Sequence, residues 1–298
     1  MTKVAVIQTE NRAEGVKKAI ELLSMNPVKG KNVVLKPNFN TADPTPGSTH
    51  MITLRALVEK LWDMNAKSIT LAERSGPADT AEVFAKKGVH ELAEELNLSV
   101  VNLAKAPVED YVHLQPEESH WEKGFLFAKL FHEADSIVET CCLKTHQYGG
   151  HFTLSLKNAV GMVPRRNLDG NSYMRELHNS PHQRDMIAEI NCVFEPDLIV
   201  LDGITAFVDG GPAHGTRKYP KVILAGTDRV AIDATGVAIL RILGTTAEVS
   251  KGKIFEQDQI RRAVELNLGI SSPSDIELIT DSKETASFAQ RIREKLNE

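Results

Sequence analysis

Short runs rich in Val, Ile and Leu alternate along this chain with stretches whose apolar residues recur every three or four positions. The runs at 3–8, 32–38, 68–74, 98–103, 136–140, 197–201, 222–226 and 276–280 have the length and continuous hydrophobicity of strands buried on both faces. Residues 12–23, 52–64, 79–87, 89–96, 185–194, 230–243, 255–267 and 283–297 carry helical spacing. Alternation of this kind predicts an α/β fold with a mainly parallel sheet flanked by helices. Two Rossmann-like lobes around a cleft are compatible with the order, but no boundary can be drawn, so residues 1–298 read as one domain. The periodicity lapses twice. Residues 105–124, with Pro107 and Pro116, read as a hairpin region, and 125–133 as a short helix. Residues 165–182 are high in polar residues, lack an apolar period and read as a substrate loop or lid.

In open parallel sheets the carboxyl ends of the strands face ligands, so chemistry is sought there first. Lys36 and Asn38 end one predicted strand; Glu73, Arg74 and Ser75 end the next and should meet them along one edge. The strand at 136–140 is expected to open into a loop carrying Lys144 and His146, with Gly149-Gly150 making that loop mobile or sharply turned. Lys157 and Asn158 follow, and cations at both ends of a short glycine-broken span suit a carboxylate or a phosphate. His146 is the candidate acid or base, because imidazole titrates near neutrality. Lys144 stands beside it, and Asp202 or Asp233 would orient or tune the ring. Asp233 lies among Ala231, Ile232, Ala234 and Val237, so its carboxylate needs a partner, either Lys144, Lys157 or the pocket itself. Gly210 and Gly211, in the glycine-rich span 208–215, can bring backbone amides close to an anion. That span is neither a Walker A loop nor a dinucleotide fingerprint. Thr49 and Asp228 read as helix N-caps.

Composition narrows the partners. A net charge of −5 and 5% aromatic content argue against nucleic acid and anionic membranes as ligands. No apolar run approaches the ~20 residues that span a bilayer, and the opening residues turn polar too early for a secretory signal. Cytoplasmic placement is the expectation. Cys141, Cys142 and Cys192 make no disulfide framework and no compact metal motif. His178 and His182 have the spacing of paired ligands on a helix, but Pro181 between them disfavours continuous helix. A divalent metal stays open through His146 or His151 with Asp202, Asp233 or His178. The charged terminal stretch 283–297 reads as an edge or interface helix, compatible with a homo-oligomer.

Lys-Thr-His at 144–146, followed by Thr-Leu-Ser-Leu-Lys-Asn-Ala-Val-Gly at 153–161, resembles the signature of the family catalogued as domain of unknown function 362. Val-Leu-Lys-Pro-Asn at 34–38, Leu-Asp-Gly at 201–203 with Gly-Gly-Pro at 210–212, and Thr-Asp-Arg-Val-Ala-Ile-Asp at 227–233 fit the same family in order. The resemblance adds Gly161 to the candidate ligand-binding residues and implies a pocket, but no assigned reaction. Some members carry ferredoxin-like iron–sulfur modules. The Cys-x2-Cys-x2-Cys-x3-Cys run they need is absent here, so no such cluster is expected. The leading reading is an enzyme acting on a small anionic metabolite, with Lys36, Lys144 and Lys157 as cations and Asn38 and Asn158 as oriented hydrogen-bonding groups. Proton abstraction beside a carboxylate, phosphoryl chemistry and redox chemistry stay open, and the cofactor is unassigned. Metal-dependent catalysis and a non-catalytic carrier role beside iron–sulfur electron-transfer proteins are the alternatives.

Overall fold

The computed structural model describes residues 1–148 and 151–298. Its strands are β1 (Thr2–Gln8), β2 (Asn32–Lys36), β3 (Ser68–Glu73), β4 (Ser99–Asn102), β5 (Tyr111–Leu114), β6 (Phe125–Ala128), β7 (Ser136–His146), β8 (His151–Thr153), β9 (Leu198–Phe207), β10 (Arg217–Lys218), β11 (Val222–Gly226) and β12 (Ile276–Thr280). One continuous sheet runs β12-β1-β11-β9-β7-β2-β3-β4, with β8 added to β7 and β10 to β9. Neighbours along that path are parallel except at β11, which is antiparallel to both β1 and β9. The α/β architecture with a mainly parallel sheet is therefore as the sequence predicts.

Alternating side chains explain why the strand runs are apolar throughout. In β1, Val4 and Val6 pack on one face while Ala5 and Ile7 pack on the other. The second face is covered by α1 (Arg12–Leu22), α2 (Met51–Asp63), α3 (Thr80–Lys87) and α4 (Val89–Leu96) through Val16, Ile20, Leu57, Phe84 and Leu92. The first is covered by α5 (Lys129–His132), α6 (Ser155–Asn158), α7 (Tyr173–Asn179), α8 (Gln183–Ile190), α9 (Arg229–Leu243), α10 (Ala247–Ser250), α11 (Asp258–Glu265) and α12 (Lys283–Asn297). From β2 the chain moves outward to β3 and β4; it then returns to the other side of β2 as β7 and continues away to β9. Between β2 and β7 the winding direction reverses, and a crevice opens at the carboxyl ends there.

Several local expectations are corrected. β7 continues to His146 with every residue buried, so Lys144 and His146 belong to a strand and not to a loop. β8 stabilises that extension, pairing Thr153 with Lys144 and His151 with His146. The expected Gly149-Gly150 turn lies outside the described residues. Residues 125–128 form β6 against β5 rather than the start of a helix, because all four side chains are buried in that position. Within the 165–182 stretch, residues 173–179 form α7, anchored by buried Tyr173 and Leu177. His50, not Thr49, caps α2 by accepting the amide of Ile52 at 3.1 Å. Thr49 instead accepts the amide of Asn38 at 2.8 Å. Asp228 caps α9 as expected, accepting from Ala231 at 2.9 Å. Among the described residues no helix is long and apolar enough to cross a membrane.

Asp202 sits inside β9 and is fully buried. It accepts hydrogen bonds from Arg12 (2.8 Å), Thr53 (2.6 Å) and the amide of Ile204 (3.1 Å), and so fastens α1 and α2 to the sheet. Removing one member of a buried, hydrogen-bonded ion pair costs ~3–5 kcal/mol. Asp202→Ala should lose that order of stability in urea unfolding, and Asp202→Asn less.

Candidate functional site

A cavity of about 570 Å³ occupies the crevice at the carboxyl ends of β7, β2 and β3. The parallel register of β2 with β3, Leu35 opposite Leu71, brings Lys36 and Glu73 within one residue of each other at the strand ends. Their ion pair is 2.7 Å long and both side chains are almost completely buried. Glu73 also accepts the amides of Phe39 and Arg74, each at 2.8 Å. Lys36 donates further to the Pro37 carbonyl at 2.8 Å and to Asn158 Oδ1 at 3.4 Å. Burial lowers the Lys36 pKa, opposed by Glu73. Gly161 leaves the room this pair needs. A Cβ there would lie 2.6 Å from Glu73 Oε1 and 2.8 Å from Lys36 Nζ.

Lys144, at the end of β7, donates to Asn38 Oδ1 at 2.8 Å and to the Gly47 carbonyl at 2.6 Å. Neither partner carries charge, and burial lowers the Lys144 pKa. Lys157 projects from the one-turn helix α6 and lines the same cavity. Among the described residues it has no ion pair and no hydrogen bond. Desolvation first, then the charges of Arg184, Lys144 and Arg74, bring its pKa down to about 7. Glu73 is the sole carboxylate among the described lining residues, against Lys36, Arg74, Lys144 and Lys157. Arg74 is spent on the carbonyls of Val160, Val163 and Ser75. Once Lys36 has neutralised Glu73, the lysines 144 and 157 face the cavity without a counter-charge.

His146 is buried beside them, and its Nδ1 has no hydrogen-bond partner among the described residues. Desolvation, reinforced by Lys157, Arg184 and Lys144, drives its pKa far below the usual histidine range, so the ring is neutral. Thr153 Oγ1, another lining atom, is likewise buried and unpartnered. Tyr148 stands at the rim between His146 and His178, with ring centroids 5.4 and 5.6 Å away. Met174, Leu177 and His178 of α7 form the facing wall.

The structure thus brings Lys36, Asn38, Lys144, His146, Lys157, Asn158 and Gly161 to one cavity. Asp202 and Asp233 are elsewhere. Asp202 holds Arg12 and Thr53, as described above. Asp233 accepts the amides of Ser155 (2.8 Å) and Leu156 (3.4 Å) and the Gln259 side chain (3.4 Å), which anchors α6 rather than pairing with a lysine. Burial pushes its pKa up to about 8, although both amides oppose this. Gly210 and Gly211 do not line the cavity. The Gly211 amide is already taken by the His214 carbonyl at 2.5 Å, while its carbonyl accepts from Gln147 at 3.1 Å. Gly211 is needed for close packing, since a Cβ would lie 2.1 Å from the Thr145 carbonyl oxygen. The next residues, Pro212 and Ala213, reach the cavity wall. His146 and His151 pair across β7 and β8, but among the described residues no third ligand joins them or His178.

Sequence reasoning placed Glu73 and Arg74 on the right edge without assigning them to the site. The signal was available, as opposite charges at the ends of successive strands. Arg184 left no comparable trace, because it arrives from a distant segment, and Tyr148, though two residues after His146, carries no charge to mark it. Gly161→Ala should overpack the Lys36–Glu73 pair and lower stability by ~1–3 kcal/mol. Urea denaturation of the variant measures it.

Comparison with known proteins places this geometry in a wider group. The chain is 24% identical over 220 residues to a thylakoid-associated protein of Synechocystis, an alignment covering 72% of this chain and 64% of that protein. The chain therefore spans a little under two thirds of that relative's length. The lactate racemase apoprotein of Thermoanaerobacterium thermosaccharolyticum aligns in structure with a TM-score of 0.46 at 14% identity, covering 97% of this chain and 85% of that one. A family model described as Domain of unknown function (DUF362) matches residues 33–238, a span that holds the strand ends and α6 alike. The chain belongs to that family.

Proposed function

We propose that the protein is an enzyme that binds a small carboxylate or phosphate anion in the cavity and transfers a proton on it. One observation carries the reading: Lys144 and Lys157 line a cavity whose one carboxylate among the described lining residues, Glu73, is already paired with Lys36. A desolvated ammonium is costly unless paired, and an incoming anion supplies the missing charge. Asn38 accepts from Lys144 and Asn158 from Lys36, which fixes both as positioning groups. The unpartnered His146 Nδ1 and Thr153 Oγ1 supply further polar contacts for the ligand.

Proton transfer is assigned to Lys157 in preference to His146. A lysine with a pKa of about 7 is present as both amine and ammonium at neutral pH, as a group that accepts and returns a proton must be. The neighbouring ammonium of Lys144 stabilises negative charge that develops on the ligand. His146, held neutral, serves as a hydrogen-bonding group. The cytoplasmic placement expected from the sequence belongs to the same reading.

Isothermal titration calorimetry with inorganic phosphate, acetate and a 2-oxo acid tests the proposal. At least one should bind stoichiometrically, and a Lys144→Ala/Lys157→Ala variant should lose about 30-fold or more in affinity. No binding by any of the three, or equal binding by the folded variant, rejects it. The pH dependence follows from Lys157. Its folded pKa lies below the ~10.4 of an unfolded lysine, so the unfolded chain holds more protons between about 7 and ~10. This lysine's contribution to stability therefore rises with pH across that window. Anion binding needs the ammonium and should run the other way, strongest below pH 7 and weakening by up to ~tenfold per unit above it.

A further inference from the structure

We propose that His120, His182 and Asp185 form a binding site for a Zn2+-like first-row divalent cation, separate from the anion cavity. Each side chain offers one ligand atom, and the three atoms lie within 4.8 Å of one another. Metal–nitrogen and metal–oxygen bonds of ~2.0–2.2 Å put tetrahedral ligand atoms ~3.4 Å apart, so closure takes a shift of about an ångström. The partly exposed imidazoles can make it; their rings already stack at 4.1 Å, 21° from parallel.

The second observation is the support behind His120. Its Nδ1 lies 2.6 Å from Oε1 of Glu189, a carboxylate buried completely beneath the surface. Glu189 is itself fixed by Ser119 (3.0 Å), by the His120 amide (2.9 Å) and by Arg262 (3.1 Å). A carboxylate on one ring nitrogen orients a ligating imidazole and leaves the other nitrogen for the metal. Two native contacts compete for Asp185: Arg261 donates to Oδ1 at 2.9 Å, and His182 Nδ1 lies 3.4 Å from Oδ2, the longer contact being the one a cation displaces. Two imidazoles and one carboxylate suit a borderline cation such as Zn2+ and leave a fourth position for water.

The site has a structural consequence. His120 comes from the segment before β6, while His182 and Asp185 lie where α7 hands over to α8. A bound cation therefore ties down the carboxyl end of α7, whose other side forms the cavity wall.

Equilibrium dialysis of chelator-treated full-length protein against Zn2+, with metal counted by elemental analysis, tests the site. One ion per chain is expected, together with a rise in Tm. Co2+ should give a tetrahedral visible spectrum and quench Trp121, the neighbour of His120 whose indole donates to the Met186 carbonyl at 3.1 Å. His182→Gln and Asp185→Asn, which leave the buried His120–Glu189 contact intact, should each weaken binding roughly tenfold or more. Lys144→Ala/Lys157→Ala should bind Zn2+ as the unaltered protein does, so that failure here is distinct from failure of the anion reading. Absence of stoichiometric Zn2+, or binding unchanged in His182→Gln, overturns the proposal.

Discussion

The buried ion pair between Lys36 and Glu73 is the constraint on which the site depends. Two charges removed from water attract strongly, but their desolvation offsets most of that gain. The pair persists because its remaining hydrogen-bonding capacity is met on every side, by two amides on the carboxylate and by a carbonyl and Asn158 on the ammonium. These contacts draw together the ends of β2 and β3, the loop after β2 and the turn that carries Lys157. Gly161 must then pass close to both charges, which explains a glycine at that point better than backbone freedom does.

With that pair closed on itself, the balance of charge in the cavity is set by the other lysines. Lys144 is held by neutral oxygens, and Lys157 reaches the cavity unpaired among the described residues. Desolvation, reinforced by the neighbouring cations, lowers the pKa of both bases in the cavity. It moves an ordinarily basic lysine into the neutral range and moves an ordinarily neutral histidine far below it. Residue type alone would place neutral-range titration on the histidine; burial and neighbouring charge place it on the lysine.

The acidic residues serve the site at a distance. Asp233 fixes the amides that begin α6, and Ser155 in that same turn donates to the buried Glu139 at 3.0 Å. The turn presenting Lys157 and Asn158 is thus tied from below by two carboxylates, neither of which lines the cavity. Asp202 works further away still, joining α1 and α2 to β9.

The residues by themselves determined the α/β class, the strand runs and most helix limits, because burial on both faces and helical spacing are local properties of the chain. They also marked Lys36, Asn38, Lys144, His146, Lys157, Asn158 and Gly161, since strand ends and a family signature are both read along the sequence. Only the tertiary structure decided that β7 runs on through His146, because that extension depends on pairing with β8 and on burial from both sides. It alone separated Asp202 and Asp233 from the cavity, as a carboxylate on an apolar element looks the same in sequence whether it meets an amide or a ligand. Pairing of Glu189 with His120 and of Glu73 with Lys36 joins positions far apart in the chain. Desolvation and proximity, which set their charges, exist only once the chain has folded.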